Sequence, residues 1–224
     1  MILSRHSTLM SAQSLALGIA ILGIAGVALT VGKILPDAQP NAQRTAMPEI
    51  DTAAPFDLLD QWGNPITADT FQGHPSAVFF GFTHCPEVCP TTLYEMSMWM
   101  EHLGSKGDRL RGYFISLDPE RDTPGVLGDY VSSVSDRITG ITGNGAEIDR
   151  LADAWGIYSR RVPLEDGGYT MDHTASVFLL DSAGHMTTTI SYGEDSDSAI
   201  AKLQVLLAEE PASKTSALKG GQDQ

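Results

Sequence analysis

Between residues 50 and 209, short apolar runs of strand length alternate with segments whose apolar residues recur at helical spacing. Residues 76–82 form a continuous apolar run, which is typical of a strand buried on both faces, and 110–117 and 176–180 look similar. The helical patterns between and after them are carried by Leu93, Met96, Met100 and Leu103, by Val126, Leu127 and Val131, by Ile148, Leu151, Ala152 and Trp155, and by Ile200, Leu203 and Leu207. This alternation predicts an α/β domain with a parallel or mixed sheet and helices on both faces.

Local signals refine two of these elements. Thr123 followed by Pro124 is a favourable N-cap and first-turn pair, so a helix is predicted to begin there. Residues 181–184 have turn composition and separate the run at 176–180 from a weakly alternating segment at 186–192. These two segments are therefore predicted to pair as a β-hairpin.

The N-terminal region has the composition of a membrane segment. No charged residue lies between Arg5 and Lys33, and residues 14–32 would span roughly 28 Å as a helix, which is close to the thickness of a hydrocarbon core. We therefore predict a transmembrane anchor at 14–32, preceded by a cytoplasmic N-terminus at 1–13 and followed by a linker at 33–49. A cleaved signal peptide is the alternative, although its apolar region is usually only about 7–15 residues long.

Either kind of segment would carry the rest of the chain across the membrane. The 50–209 domain is therefore expected on the exported, periplasmic side, with a disordered tail at 210–224. The chain has 14 basic and 28 acidic residues and a net charge of −14, which argues against a nucleic-acid partner because phosphate binding requires a basic face.

The two cysteines of the chain, Cys85 and Cys89, follow the buried run at 76–82 and open the first helical pattern. A disulfide between them would close too short a loop to stabilise the fold, so their position favours chemistry over a structural role. The carboxyl end of a buried strand is a usual place for a site, and the start of a helix stabilises a thiolate. The motif has three intervening residues, whereas thioredoxin-type redox sites have two.

A third candidate ligand, His173, lies in the stretch where a thioredoxin would place its cis-proline, and we predict it at the start of the buried strand 176–180. Two thiolates and an imidazole suit Cu(I), Cu(II) or Zn(II) and do not suit magnesium or calcium. An ordinary hydrogen-bonded histidine is the alternative. Other residues with weaker claims are His84, which adjoins Cys85, Asp172 as a further oxygen ligand, and the sulfur donors Met96, Met98, Met100 and Met171, which fit packing roles.

Three segments together resemble the SCO/SenC family of copper-binding proteins. They are FGFTHCPEVCPTTL at 80–93, FISLDPERDTP at 114–124 and DHTASVFLLD at 172–181. The resemblance covers residues 50–209. It implies a thioredoxin-like fold with an added N-terminal β-hairpin, for which residues 56–70 are available, and copper ligation by Cys85, Cys89 and His173. The stretch 118–122 is expected to be structural or to face a partner.

The resemblance implies a function in assembling the dinuclear copper centre of cytochrome c oxidase. The leading hypothesis is a copper metallochaperone that receives Cu(I) or Cu(II) from a donor protein and passes it to the oxidase subunit that carries this centre. The alternative is a thiol–disulfide reductase that keeps the oxidase's copper-ligand cysteines reduced. A third hypothesis, a thiol peroxidase or redox sensor of related fold, lacks a peroxidatic sequence context.

Overall fold

A computed structural model describes residues 57–165 and 167–209 of the chain. The predicted anchor at 14–32, the linker at 33–49 and the tail at 210–224 all lie outside the described residues. Within the described ranges, no helix is both long enough and apolar enough to cross a bilayer.

The described residues form a mixed α/β domain, as the alternating pattern predicts. Its strands are β1 Leu58–Asp60, β2 Pro65–Ile66, β3 Ser76–Gly81, β4 Arg111–Ser116, β5 Ile138–Gly143, β6 Ser159–Pro163, β7 Tyr169–His173, β8 Ser176–Leu180 and β9 Met186–Ser191. Its α-helices are α1 Val88–His102, α2 Pro124–Ser132, α3 Gly145–Ala154 and α4 Ser196–Glu209. Short 3₁₀ helices lie at Ala68–Phe71 and Gly104–Arg109.

Seven strands form one sheet in the order β2-β1-β5-β4-β3-β8-β9. The central strands β3, β4 and β5 run parallel, and the remaining pairs in this sheet are antiparallel. Every residue of β3 is buried, and alternate side chains enter two different cores. Phe79 packs in the core beneath α1, α2 and α4, whereas Phe80 packs in the core beneath α3. Helices therefore cover both faces, and the parallel strands end together at one edge of the sheet.

Three local predictions are confirmed. The side chain of Thr123 accepts a hydrogen bond from the Val126 N–H at the start of α2. Strands β8 and β9 pair antiparallel across the turn at 181–184, where Asp181 accepts the backbone N–H of His185. Strands β1 and β2 also pair antiparallel, which supplies the hairpin expected within 56–70, although Phe56 itself lies outside the described residues.

The prediction that His173 begins the strand at 176–180 is wrong. His173 is the last residue of β7, which pairs only with β6 in a separate two-stranded ribbon, and Thr174 and Ala175 separate it from β8. The ribbon was not apparent in the sequence because its residues are half-buried or exposed and include Arg160 and Arg161. They therefore lack the apolar signal that marks a buried strand.

Candidate metal centre

The buried thiol of the site is Cys89, in the first turn of α1. Its Sγ lies directly over the end of β3, where a Cβ added at Gly81 would come within 2.7 Å of it. A side chain at Gly81 would therefore occupy the space that the sulfur fills, so glycine at this position makes room for Cys89.

Cys85 lies in the loop between β3 and α1 and is partly exposed, unlike Cys89. Its N–H donates to the Phe82 carbonyl at 3.2 Å, which closes a tight turn directly after β3. The N–H of Cys89 donates to the Cys85 Sγ at 3.3 Å. Both thiols are free, so the motif presents two sulfurs, one beside the other, at the carboxyl end of the strand.

The ribbon brings His173 to the same place. Its Nε2 lies 3.7 Å from the Cys89 Sγ, and its ring packs edge-on against Phe79 and Phe82. The Nδ1 lies 2.9 Å from the Thr174 carbonyl oxygen, which can only accept a hydrogen bond. The ring proton is therefore on Nδ1, and Nε2 presents its lone pair toward the sulfurs.

The structure thus brings together all three residues that the sequence singled out. The Sγ atoms of Cys85 and Cys89 and one ring nitrogen of His173 all lie within 4.8 Å of one another. Within the described part of the chain, this is the one group of three cysteine, histidine or acidic side chains close enough to hold an ion. Two sulfurs and an imidazole form a donor set that suits copper or zinc.

Comparison with known proteins assigns the chain to a family, since the family model for SCO1/SenC matches residues 44–208. The chain belongs to the SCO1/SenC family. It is 35% identical to the SCO2-like protein of Rickettsia prowazekii over 138 residues, which are 61% of this chain and 67% of that protein. It is 33% identical to the mitochondrial protein SCO1 of Saccharomyces cerevisiae over 152 residues, which are 66% of this chain and 52% of that protein. The chain therefore spans about half the length of its yeast relative.

Among solved structures, the SCO1/SenC chain is similar to Bradyrhizobium japonicum ScoI with copper bound. The two are 40% identical with a TM-score of 0.63, and the match covers 68% of this chain and 98% of that one. This similarity confirms the thioredoxin-like fold that the motifs imply.

The pKa values of the two thiols of this SCO1/SenC domain are shifted in opposite directions. The pKa of the Cys85 thiol is lowered to about 4, chiefly because the Cys89 thiol donates a hydrogen bond to its sulfur. Backbone N–H groups that donate to the same sulfur add to this effect. The same hydrogen bond, together with burial, raises the pKa of the Cys89 thiol above its ordinary value. Cys85 is therefore the thiolate of the metal-free pair at neutral pH, and Cys89 retains its proton.

This difference predicts selective alkylation of the reduced, metal-free chain. Cys85 is expected to react with iodoacetamide at a rate that stays near its plateau at pH 6 and is half-maximal near a pH of about 4, because only the thiolate attacks. The measurement is a pH series with peptide mass spectrometry of each cysteine. In Cys89→Ala the main stabilising hydrogen bond is lost, so the midpoint should move up toward the ordinary thiol value of about 8.5. A wild-type midpoint already near that value would contradict the assignment.

Sequence reasoning missed the residues that hold the cysteine loop in place. Asp122 is completely buried, and its carboxyl group accepts hydrogen bonds from the Thr83 N–H at 3.0 Å and the Thr83 hydroxyl at 2.6 Å. It also accepts from the Ser116 hydroxyl at 2.6 Å. The only sequence signal was the run of charged residues at 118–122, directly after a buried strand. Such a run is consistent with a buried carboxylate that holds a loop, but it does not indicate which residue does so or which loop it holds.

The remaining sequence candidates do not join the site. Asp172 pairs with Arg160 at 3.2 Å on the exposed side of the ribbon, because neighbouring strand residues point to opposite faces and His173 points inward. The half-exposed His84 lies 3.1 Å from the Thr83 hydroxyl. The methionines have the packing roles expected of them, since Met96 and Met100 are core residues, Met171 packs against the same core, and Met98 is exposed.

Proposed function

We propose that this SCO1/SenC chain is a copper metallochaperone that holds one copper ion through Cys85, Cys89 and His173. The observation that carries the proposal is the convergence of two sulfurs and an imidazole nitrogen within 4.8 Å of one another. The copper bound to the related B. japonicum ScoI, and to yeast Sco1 at 31% identity, supports copper over zinc as the ion.

The properties of the three residues suit acquisition and release by ligand exchange. Cys85 is partly exposed and is a thiolate before any metal arrives, so it is the residue that a copper donor protein would meet first. Cys89 then binds from the buried side and gives up its proton. The two thiolates suffice for Cu(I), and the neutral Nε2 of His173 adds the nitrogen ligand that Cu(II) favours. Ligand exchange in the reverse order, ending at the partly exposed Cys85, would pass the ion to the oxidase subunit.

The proposal includes the cellular arrangement expected from the sequence. Residues 14–32 would anchor the chain in the membrane, and the linker at 33–49 would let the domain reach partners on the exported side. The recipient would be the subunit of cytochrome c oxidase that carries the dinuclear copper centre. An acidic domain and a membrane-embedded oxidase would then meet at the same membrane surface.

A copper titration of the full chain tests the ligand set. We expect the wild type to bind one equivalent with absorbance in the thiolate charge-transfer region, and Cys85→Ser and Cys89→Ser to lose this absorbance. His173→Ala should weaken Cu(II) binding by at least about tenfold, which corresponds to the loss of ~1.4 kcal/mol. His102→Ala is the matched control, because His102 is exposed at the end of α1. Equal Cu(II) retention in His173→Ala would refute the three-ligand site.

The second candidate function, thiol–disulfide reduction, is favoured by the free thiol pair and the lowered pKa of Cys85. In this reaction the Cys85 thiolate attacks a disulfide of the oxidase subunit and releases one of its thiolates. Cys89 then loses its proton, which the released thiolates can take up, and attacks the Cys85 sulfur of the mixed disulfide. This expels the partner's second thiolate, so Cys85 and Cys89 become a disulfide and the partner gains two electrons. This function requires no metal. It predicts that cells carrying His173→Ala assemble the oxidase at the wild-type level, whereas the metallochaperone predicts a loss.

A further inference from the structure

The ribbon that carries His173 has no backbone hydrogen-bond ladder to the main sheet of the domain. Strands β6 and β7 pair only with each other and form no ladder with the seven-stranded sheet. A cavity of about 450 Å³ lies between the ribbon and the body. It is lined by Arg160, Arg161 and Met171 on the ribbon and by Asp118 and Asp149 on the body. Continuous packing therefore does not fix the ribbon on the side of this cavity, and polar and cation–π contacts help to set its position there.

Tyr169, the first residue of β7, makes the most concentrated of these contacts. The guanidinium carbon of Arg121 lies 3.7 Å from the centroid of the Tyr169 ring, and that of Arg161 lies 4.0 Å from it. The Tyr169 ring therefore contacts two guanidinium groups at once. Arg121 belongs to the body and Arg161 to β6, so the ring has one cation–π contact with the body and one with its own ribbon.

Hydrogen bonds to the hydroxyl and to the main chain of Tyr169 also connect this residue to the body. The Tyr169 hydroxyl donates to Asp118 Oδ1 at 2.8 Å, and Asp118 is almost completely buried and also pairs with Arg121. Arg121 Nη1 donates to the Tyr169 carbonyl at 3.0 Å, so both the main chain and the side chain of Tyr169 are held. The outer Arg161 is held in turn by Glu120 at 2.8 Å.

The segment 118–122 therefore connects both halves of the metal centre. At one end Asp118 and Arg121 hold Tyr169, which lies four residues before His173 on β7. At the other end Asp122 holds Thr83, which lies two residues before Cys85. Tyr169 and His173 are four residues apart on β7, so their side chains lie on the same face of the strand, and the position of that face sets both.

We propose that Tyr169 is a positioning residue that fixes His173 against the cysteine pair, through the clamp formed by Arg121, Arg161 and Asp118. The proposal rests on the proposed function, since His173 acts as a ligand only if the site binds copper. When the clamp is lost, the ribbon moves within the space that the cavity provides, and Nε2 no longer stays beside the Cys89 sulfur. The two thiolates are unaffected, so the clamp governs the binding of Cu(II) far more than that of Cu(I).

The first test uses the metal-free chain and is independent of copper. Tyr169→Leu removes both the ring and the hydroxyl, and Tyr169→Phe keeps the stacked ring and removes only the hydroxyl. Tyr94→Leu is the matched control, because Tyr94 is exposed on α1. Amide hydrogen exchange at 169–173 is expected to accelerate by about tenfold in Tyr169→Leu and by less in Tyr169→Phe, with 76–81 unchanged. Unchanged exchange at 169–173, or equal acceleration at 76–81, would overturn the proposal.

The second test asks whether the effect on copper passes through His173. In Tyr169→Leu the Cu(II) affinity should fall by about tenfold while the Cu(I) affinity stays within about twofold, and the Cu(II) electron paramagnetic resonance spectrum should lose its nitrogen coupling. Adding Tyr169→Leu to His173→Ala should cause no further loss of Cu(II) affinity. Additive losses would overturn the positioning role. A wild-type chain that binds no copper would refute the proposed function, and the exchange experiment would still test the clamp.

Discussion

Replacing Asp122 with alanine is expected to lower the free energy of unfolding of the metal-free chain by about 4 kcal/mol. The carboxyl group of Asp122 is completely buried and accepts three hydrogen bonds, two from Thr83 and one from Ser116. Alanine removes all three and leaves the buried Ser116 hydroxyl and the Thr83 N–H without this acceptor. Unsatisfied buried donors cost more than the hydrogen bonds contribute when formed. The effect is therefore large for a single substitution.

Urea denaturation of the metal-free chain measures this loss. Asp129→Ala is the matched control, since Asp129 is exposed on α2 and its removal is expected to change stability by less than about 0.5 kcal/mol. Asp122→Asn should lie between the two, because the amide retains one acceptor oxygen for the Thr83 or Ser116 hydroxyl. Equal midpoints for Asp122→Ala and Asp129→Ala would show that the buried carboxyl group does not stabilise the cysteine loop.

Replacing Gly81 with alanine is expected to destabilise the domain by about 1–3 kcal/mol and to displace the metal site at the same time. The new Cβ would lie 2.7 Å from the Cys89 Sγ and 2.7 Å from Phe114 Cε2. Neither neighbour has free space to move into. Phe114 is fully buried and packs against the rings of Phe79 and Tyr130 at 6.0 and 5.6 Å, and Cys89 is fully buried in the same core. The added methyl group should therefore displace the Cys89 sulfur or the Phe114 ring, and with the sulfur the geometry of the metal site.

Gly125→Ala supplies the control for this substitution. Gly125 lies in the first turn of α2, and a Cβ there would meet no atom within 4 Å. Alanine should stabilise the helix by about 0.5–1 kcal/mol, because it restricts the unfolded chain more than glycine does. Thermal denaturation and a copper titration of both variants compare the two effects. A Gly81→Ala chain as stable as Gly125→Ala, with wild-type copper affinity, would contradict the close packing of the sulfur against β3.

Much of this domain could be predicted from local patterns. Apolar runs identified β3, β4 and β8 because these strands are buried on both faces, and helical spacing identified the buried faces of α1 to α4 apart from Val126, which is exposed on α2. Thr123 and Pro124 marked the start of α2 by chemistry confined to one turn. The cysteine pair was conspicuous for the same reason, since both thiols lie within five consecutive residues at the end of a strand.

The ribbon and the shell around the site depended on long-range contacts. Cys89 and His173 are 84 residues apart, Thr83 and Asp122 are 39 apart, and Arg121 and the Tyr169 carbonyl are 48 apart. Strands β6 and β7 contain no fully buried residue and carry charged residues, so no hydrophobic period marked them. Periodicity reports which face of an element is buried and not which distant segment covers it. The sequence therefore predicted which residues are the candidate ligands. The distances between them, the hydrogen bonds of Asp122 and the contacts of Tyr169 depend on the tertiary structure, because folding brings together segments that are far apart in the chain.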